Sequence, residues 1–527
     1  MTLNNLRIPL SASLAVCVCF LGYWLYRSVS FPPHDFANSY FGAYFFLKGE
    51  FDISIFDPYT FNRKIYDEGF RNIFLSYSPN PPFTALFFAP FALIPLSAAK
   101  FIFNLISCSL FLLNVYRLSK HNGISPSILF LIIPFLFFLP IRNQILFGQT
   151  YFLLFFLISE GYLAYDNKRF ALSGLLWALA IMLKIFPAII VLFLIFKKEW
   201  KAIAYLCIAC SLLLIVCLLF FQDLALWKDY FLTILPRSNK GEISSSYTTN
   251  YQSALMFFKY LFVEHEASNP NPVLFHNTAL FIASLILFKS IVVGACSMVI
   301  LQRRNLIAFG FLLMGSMLIS PYGNTYSNIL LLFVLIPMLK EFPLKQSLAI
   351  SILIFLISNL PITIFNSFPV ALQFPRLALL AILFIIIFYF TRTKIQWIYF
   401  PVLILLFSVP LLFTPVSNKD TSHLFLKSEK HNLIYDYGVK DGFVFYKYWN
   451  DRGENVFTTD KSAIHAEHES ITLKDNQIWY QGKQLTTTHD NKLKPAVIDG
   501  QFILYLSDKD KGIGFYTLRT ISLQTRQ

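Results

Sequence analysis

At 527 residues, 56% hydrophobic and only 14% charged, with a mean hydropathy of +0.58, the chain has too little charge to cover a soluble globule. The formal net charge is +14, yet from Val416 onward 15 Lys and Arg nearly balance 14 Asp and Glu, so the excess sits among the apolar runs, where basic loops orient helices. That placement argues against a nucleic-acid partner, and seven cysteines that all fall in apolar segments argue against a disulfide framework.

Apolar runs occur near 10–28, 98–117, 124–140, 150–166, 170–184, 186–197, 201–221, 278–301, 305–320, 325–339, 346–362, 372–391 and 397–414. They predict about 13 crossings, a full span needing about 20 residues. The first run is long for a signal peptide and lacks a small-residue cleavage site, so it reads as an uncleaved helix. A shorter run, Phe83 to Leu96, contains Pro90 and Pro95 and reads as a half-depth helix, which other helices must bury.

Charge orders these runs. With the N-terminus cytoplasmic, the inner connections hold Arg7; Arg117 and Lys120; Lys168 and Arg169; Lys197, Lys198 and Lys201; Arg303 and Arg304; Lys340 and Lys345; Arg392 and Lys394. The short outer connections hold little beyond Arg142 and Lys184, as the positive-inside rule expects. A crossing at Phe83–Leu96 would break this parity. Two long loops, 29–82 and 222–277, then fall outside. Each contains an amphipathic stretch, Phe36–Leu47 and Leu224–Leu235, suited to the membrane surface.

Beyond Thr414–Pro415 the composition turns polar and Cys-free, with short alternating runs such as Gly442–Tyr448, Gln477–Trp479 and Gln501–Leu506. This pattern predicts a small β-rich domain, extracytoplasmic by the same parity. The expected architecture is an all-α polytopic membrane domain over 1–415, followed by a β-rich domain over 416–527.

Candidate chemistry gathers on the outer side. Asp35 follows Phe31-Pro32-Pro33-His34, where prolines fix the exit of the first helix. A carboxylate there suits a general base or a helix cap, with His34 beside it. Tyr77 opens the proline-rich run to Pro82. Arg142 and Gln149 flank the outer ends of two spans. Lys184, set off by Pro187, suits a phosphate as a point charge or snorkels to the interface. Asn250 and Ser253 follow the second long loop, and Asn324 lies in Ser320-Pro321-Tyr322-Gly323-Asn324. Together these polar groups predict one wet cavity near the outer leaflet. Glu160 and Lys289 lie within spans. There is no phosphate-cradling or dinucleotide glycine motif.

The order of Asp35 with its aromatic helix, Lys48-Gly49, Asp57-Pro58, Tyr77–Pro82, Gly148-Gln149, Gly174 with Lys184 and Pro187, Asn250 with Ser253, and Ser320-Pro321 resembles glycosyltransferase family 87. The resemblance implies a GT-C-class fold related to polyprenyl-phosphate-mannose-dependent α-mannosyltransferases. It implies Asp35 as catalytic base, a polyprenyl-phosphate sugar (mannose or another hexose) as donor, a glycolipid or glycan acceptor, and inversion. Lys184 and Arg142 would bind the donor phosphate. Relatives tend to carry a His soon after Ser-Pro; here Tyr322, Asn324 or Tyr326 stands in that stretch. The β-rich domain is not part of the family pattern. No cofactor is demanded, and a divalent metal has no evident ligand set.

Two other classes share parts of this pattern. A transporter or lipid flippase would show internal repeats and mid-membrane breaks, whereas no repeat is visible and the polar groups sit at one face. A polysaccharide polymerase or ligase would lean on Arg and His in a late outer loop, whereas the candidate base comes first. A multi-pass position in a prokaryotic-type inner membrane follows from the short loops.

Overall fold

A computed structural model describes residues 9–242, 247–266, 268–303, 306–397, 399–412, 422–425, 433–450, 452–468, 470–509 and 511–523. Arg7, Arg304 and the 415/416 domain boundary lie outside the described residues. The helices run α1 (Leu10–Val29), α2 (His34–Leu47), α3 (Pro58–Asp67), α4 (Pro82–Ala92), α5 (Leu96–His121), α6 (Pro126–Leu136) and α7 (Phe138–Phe147). Then come α8 (Tyr151–Asp166), α9 (Phe170–Leu183), α10 (Ile190–Lys197), α11 (Trp200–Phe221), α12 (Leu224–Asp229), α13 (Leu235–Asn239) and α14 (Ala254–Phe262). The last are α15 (Thr278–Gln302), α16 (Leu306–Ile319), α17 (Leu332–Glu341), α18 (Leu344–Asn359), α19 (Pro375–Phe390) and α20 (Tyr399–Leu412).

The expected count of crossings does not carry over. Among the described residues four helices, α1, α5, α11 and α15, are long and apolar enough to span, and α6 with α7 makes a fifth if that bent pair is one span. The pair bends by 77° at Phe137, beside Pro134 and Pro140, whose missing N–H groups break the helical ladder. Most of the other apolar runs become shorter helices of 10–17 residues. Lys184 and Ile185 separate α9 from a 3-10 turn at Phe186–Ile189 that contains Pro187, and α17 is preceded by another at Thr325–Leu331. The centre of the bundle is formed by α8, α16 and α17, buried on nearly every side, as expected of helices that are apolar all round.

The 11 residues of α4 reach roughly 16 Å, about half the apolar layer. Its C-terminal end stays near the exit of α1. The Tyr40 hydroxyl donates to Ile94 O at 2.9 Å, and Lys100 Nζ donates to Pro32 O at 2.9 Å, so the α4–α5 turn lies beside the start of α2. The α2 stretch differs from expectation: it is a helix, but Phe36, Tyr40, Phe41 and Phe45 are at most 3% exposed, packed beneath the loops rather than along a surface. The Leu224–Leu235 stretch divides into α12, a π segment at Tyr230–Ile234 and α13.

The C-terminal region is β-rich, as its alternation predicts. One antiparallel sheet orders His423–Leu424, Thr517–Ser522, Phe502–Ser507, Lys492–Ile498 and Ala466–Glu467; two others, of three strands each, are built by successive hairpins from Leu433–Lys440 and from Ile471–Lys474. This region sits on the two long loops. Tyr435 stacks on Tyr59 at 4.2 Å, and Trp449 meets Tyr66 edge-on at 5.2 Å. Gly514, at φ +73°, approaches so closely that a Cβ would lie 2.4 Å from Pro58 Cδ. Arg237 of α13 pairs at 2.8 Å with Asp508 and at 2.8 Å with Glu242. Burial by itself disfavours the guanidinium charge, but the two carboxylates more than offset it and raise its pKa. The loops and the β-rich region thus share one face of the bundle.

Truncating one member of a buried pair typically costs about 3–5 kcal/mol. Arg237→Ala should therefore lower the thermal unfolding temperature of the purified protein and expose the β-rich region to protease. Unchanged melting together with an unchanged digestion pattern would remove Arg237 as the lock.

Candidate functional site

Asp35 lies in the first turn of α2, yet it does not cap that helix; Pro33 occupies the cap position and no side chain closes it. His34 has φ 43°, an uncommon conformation for a non-glycine residue, and turns the chain sharply out of the Pro-Pro pair. Its exposed ring stacks on Phe147 at 4.7 Å. The Asp35 carboxylate, half-buried, accepts a hydrogen bond from Gln149 Nε2.

Gln149 is itself held in place. Gly148 ends α7 at φ +67°, which sends the chain back so that Gln149 N donates to Gln144 O at 2.9 Å. The Gln144 amide donates to Gln149 O, and its Oε1 accepts from Tyr151 N at 3.2 Å. Gln144, 1% exposed, is a brace that sequence reasoning passed over in favour of its neighbour Arg142. Its one signal was its place in a polar tripeptide at a span end.

Lys184 completes the cluster. It is extended after α9, and its ammonium lies 4.3 Å from the Tyr151 ring centre and 5.9 Å from that of Tyr326. The two rings are 5.2 Å apart. The charge of Asp35 acts on both Lys184 and Tyr326. An ammonium and two phenols therefore meet at the junction of α8, α9 and the segment after α16, within reach of the Asp35 charge. Of the three residues that stand where relatives carry His, Tyr326 is the one at this cluster.

The other expected residues separate. Arg142 lies over the Trp24 ring at 5.6 Å, on the far side of α7 from Gln144. Tyr77 is 0% exposed, packs on Phe51 and Phe56, and donates to Pro81 O at 3.0 Å; this full burial leaves no surface for a substrate. Ser253 is 1% exposed and caps α14 by accepting from Met256 N. Asn250 is exposed. Asn324 accepts from Ser327 through its carbonyl. Between Asn250 and Ser253, Gln252 does the joining. It donates to Gln373 O and accepts from Arg376 N, while the Arg376 guanidinium holds Thr325 at 2.7 Å, next to Tyr326. Glu160 pairs with Arg117 at 2.7 Å. All seven cysteines are free. Among the described residues no three His, Cys, Asp or Glu side chains gather to hold a metal ion.

A helical membrane protein with an acid–cation pair beneath its loops is the class that this geometry defines. Residues 79–321 match the model of glycosyltransferase family 87, a match that covers somewhat less than half of the chain and supports a membrane glycosyltransferase. The matched segment holds Gln149 and Lys184; Asp35 and Tyr326 lie on either side of it. No curated protein and no solved structure matches the chain.

Gly148 gives a test of this geometry. A Cβ there would lie 2.5 Å from Phe36 Cβ, whereas at Gly49, with φ +72°, it would meet nothing within 4 Å. Both substitutions by Ala carry a backbone cost of about 1–2 kcal/mol, but only Gly148→Ala should also displace α2 and reduce transfer. Equal effects of the two on melting temperature and on transfer would refute the close approach.

Proposed function

We propose that the protein transfers a sugar from a polyprenyl-phosphate donor to a hydroxyl of a lipid- or glycan-linked acceptor at the face that carries the long loops, with inversion. The observation that supports this reading most directly is the convergence of Asp35, Gln149 and Lys184 in a chain whose central segment is family 87. In this mechanism Asp35 takes the proton of the acceptor hydroxyl as its oxygen attacks the anomeric carbon. The bond from that carbon to the donor phosphate breaks on the opposite side, and the phosphate leaves with the electron pair. Lys184 stabilises the charge that grows on it. Gln149, by donating to one carboxylate oxygen, turns the other toward the acceptor.

Mannose or another hexose is the expected sugar, and a prokaryotic-type inner membrane, with the loops and β-rich region outside, the expected location. Polar surface that meets membrane at one face, without internal repeats, favours this reading over a transporter.

General-base catalysis contributes about 10²–10⁴-fold. Asp35→Asn should therefore cut transfer from a synthetic polyprenyl-phosphate sugar by at least about 100-fold without changing melting temperature. Lys184→Ala should raise the donor KM and lower kcat together. A wild-type rate in the Asp35→Asn protein would exclude Asp35 as the base.

A further inference from the structure

Lys289 takes no part in the cluster described above. It lies 11 residues into α15, roughly 16 Å below the start of the helix. Its side chain is half-buried. Among the described residues it makes no ion pair and no hydrogen bond. A charge at that depth is costly unless it is paired or wet. Lys289 lines a narrow cleft with Asn239 and Pro321, of about 10 Å³, room for a single oxygen-sized group.

Directly beneath the cleft lies a second space. An apolar groove of about 240 Å³ runs between α15, α16, α19 and α20, lined by Ala295, Met298, Leu318, Phe384, Trp397 and Phe400 among others. Phe288 borders both spaces. Leu318 faces the groove and Ile319, the next residue, the cleft. Protein interiors rarely leave voids larger than a water molecule, and a groove within the membrane layer is covered by hydrocarbon. Its apolar lining suits a hydrocarbon chain.

We infer that this cleft and groove form a second lipid site, separate from the Asp35–Lys184 cluster. It takes a lipid with an anionic head group and a hydrocarbon chain. The chain lies in the groove, and one head-group oxygen enters the cleft to meet the Lys289 ammonium and the Asn239 amide. The site borders Pro321, whereas the Asp35 cluster borders Tyr326. The Ser320–Asn324 loop therefore stands between the two.

The test uses the full-length protein in detergent and a photoreactive single-chain alkyl phosphate, with the matching alcohol as control. Labelled peptides are located by mass spectrometry. The phosphate should label α15 and α19. The alcohol and the Lys289→Gln protein should each give labelling lower by about tenfold, the loss expected for one charge-assisted hydrogen bond. Ala295→Leu, which narrows the groove, should reduce labelling by both probes. Lys184→Ala should leave α15 and α19 labelling unchanged, so failure here and failure of the Asp35 mechanism are read separately. Wild-type labelling in a folded Lys289→Gln protein would mean that the lysine only snorkels, and would overturn the site. So would loss of the signal in Lys184→Ala.

Discussion

The hydrogen bond from Gln149 to Asp35 joins two parts of the chain and fixes the carboxylate where they meet. Asp35 sits on α2, which belongs to the first loop layer. Gln149 sits on the turn between α7 and α8, which belongs to the bundle. A carboxylate at the edge of an apolar layer needs donors, and the amide of Gln149 is aimed at it because Gly148 can adopt φ +67° and because Gln144 closes a ring of hydrogen bonds behind it. The close approach of Gly148 to Phe36 sets the height of Asp35. The charge of Asp35 then reaches Lys184, whose ammonium rests over Tyr151 of α8.

A second constraint acts from above. The β-rich region bears on the residues that fix both loops: Gly514 on Asp57–Pro58 and Asp508 on Arg237. Asp57 caps α3 by accepting from Thr60, and its burial, with the nearby charge of Asp508, raises its pKa. Ser238, next to Arg237, accepts the Tyr322 hydroxyl at 2.6 Å, so the same helix that meets the β-rich region also holds the Ser320–Asn324 loop. A region outside the family-matched segment thereby forms part of the platform over the site.

Sequence revealed the candidate polar groups but not their roles in packing. Asp35, Gln149 and Lys184 were legible because charge and amide groups at span ends are conspicuous against apolar runs. Tyr77 was misleading for a physical reason: a tyrosine among prolines reads the same whether its ring faces a ligand or fills a core, and only its 0% exposure decides. Gln144, Gln252 and Arg376 were missed because their value lies in backbone carbonyls and amides that no one-dimensional pattern records. The count of crossings is not confirmed for a related reason. Hydropathy measures composition, while Pro134, Pro140 and Pro187 set where a helix can continue, and a run interrupted by proline is apolar without being long.

The same reasoning bears on why Lys184 and Lys289, both cations near the loop face, differ. Lys184 rests on Tyr151 and Tyr326 and feels the charge of Asp35, although burial outweighs that charge. Among the described residues Lys289 has neither an aromatic face nor a carboxylate beside it, only a cleft and an apolar groove that share Phe288. A cation at depth in an apolar layer is stable only if an anion or water stays with it, and the two lysines meet that demand with different surroundings: aromatic rings and a carboxylate's charge at one, an open cleft at the other.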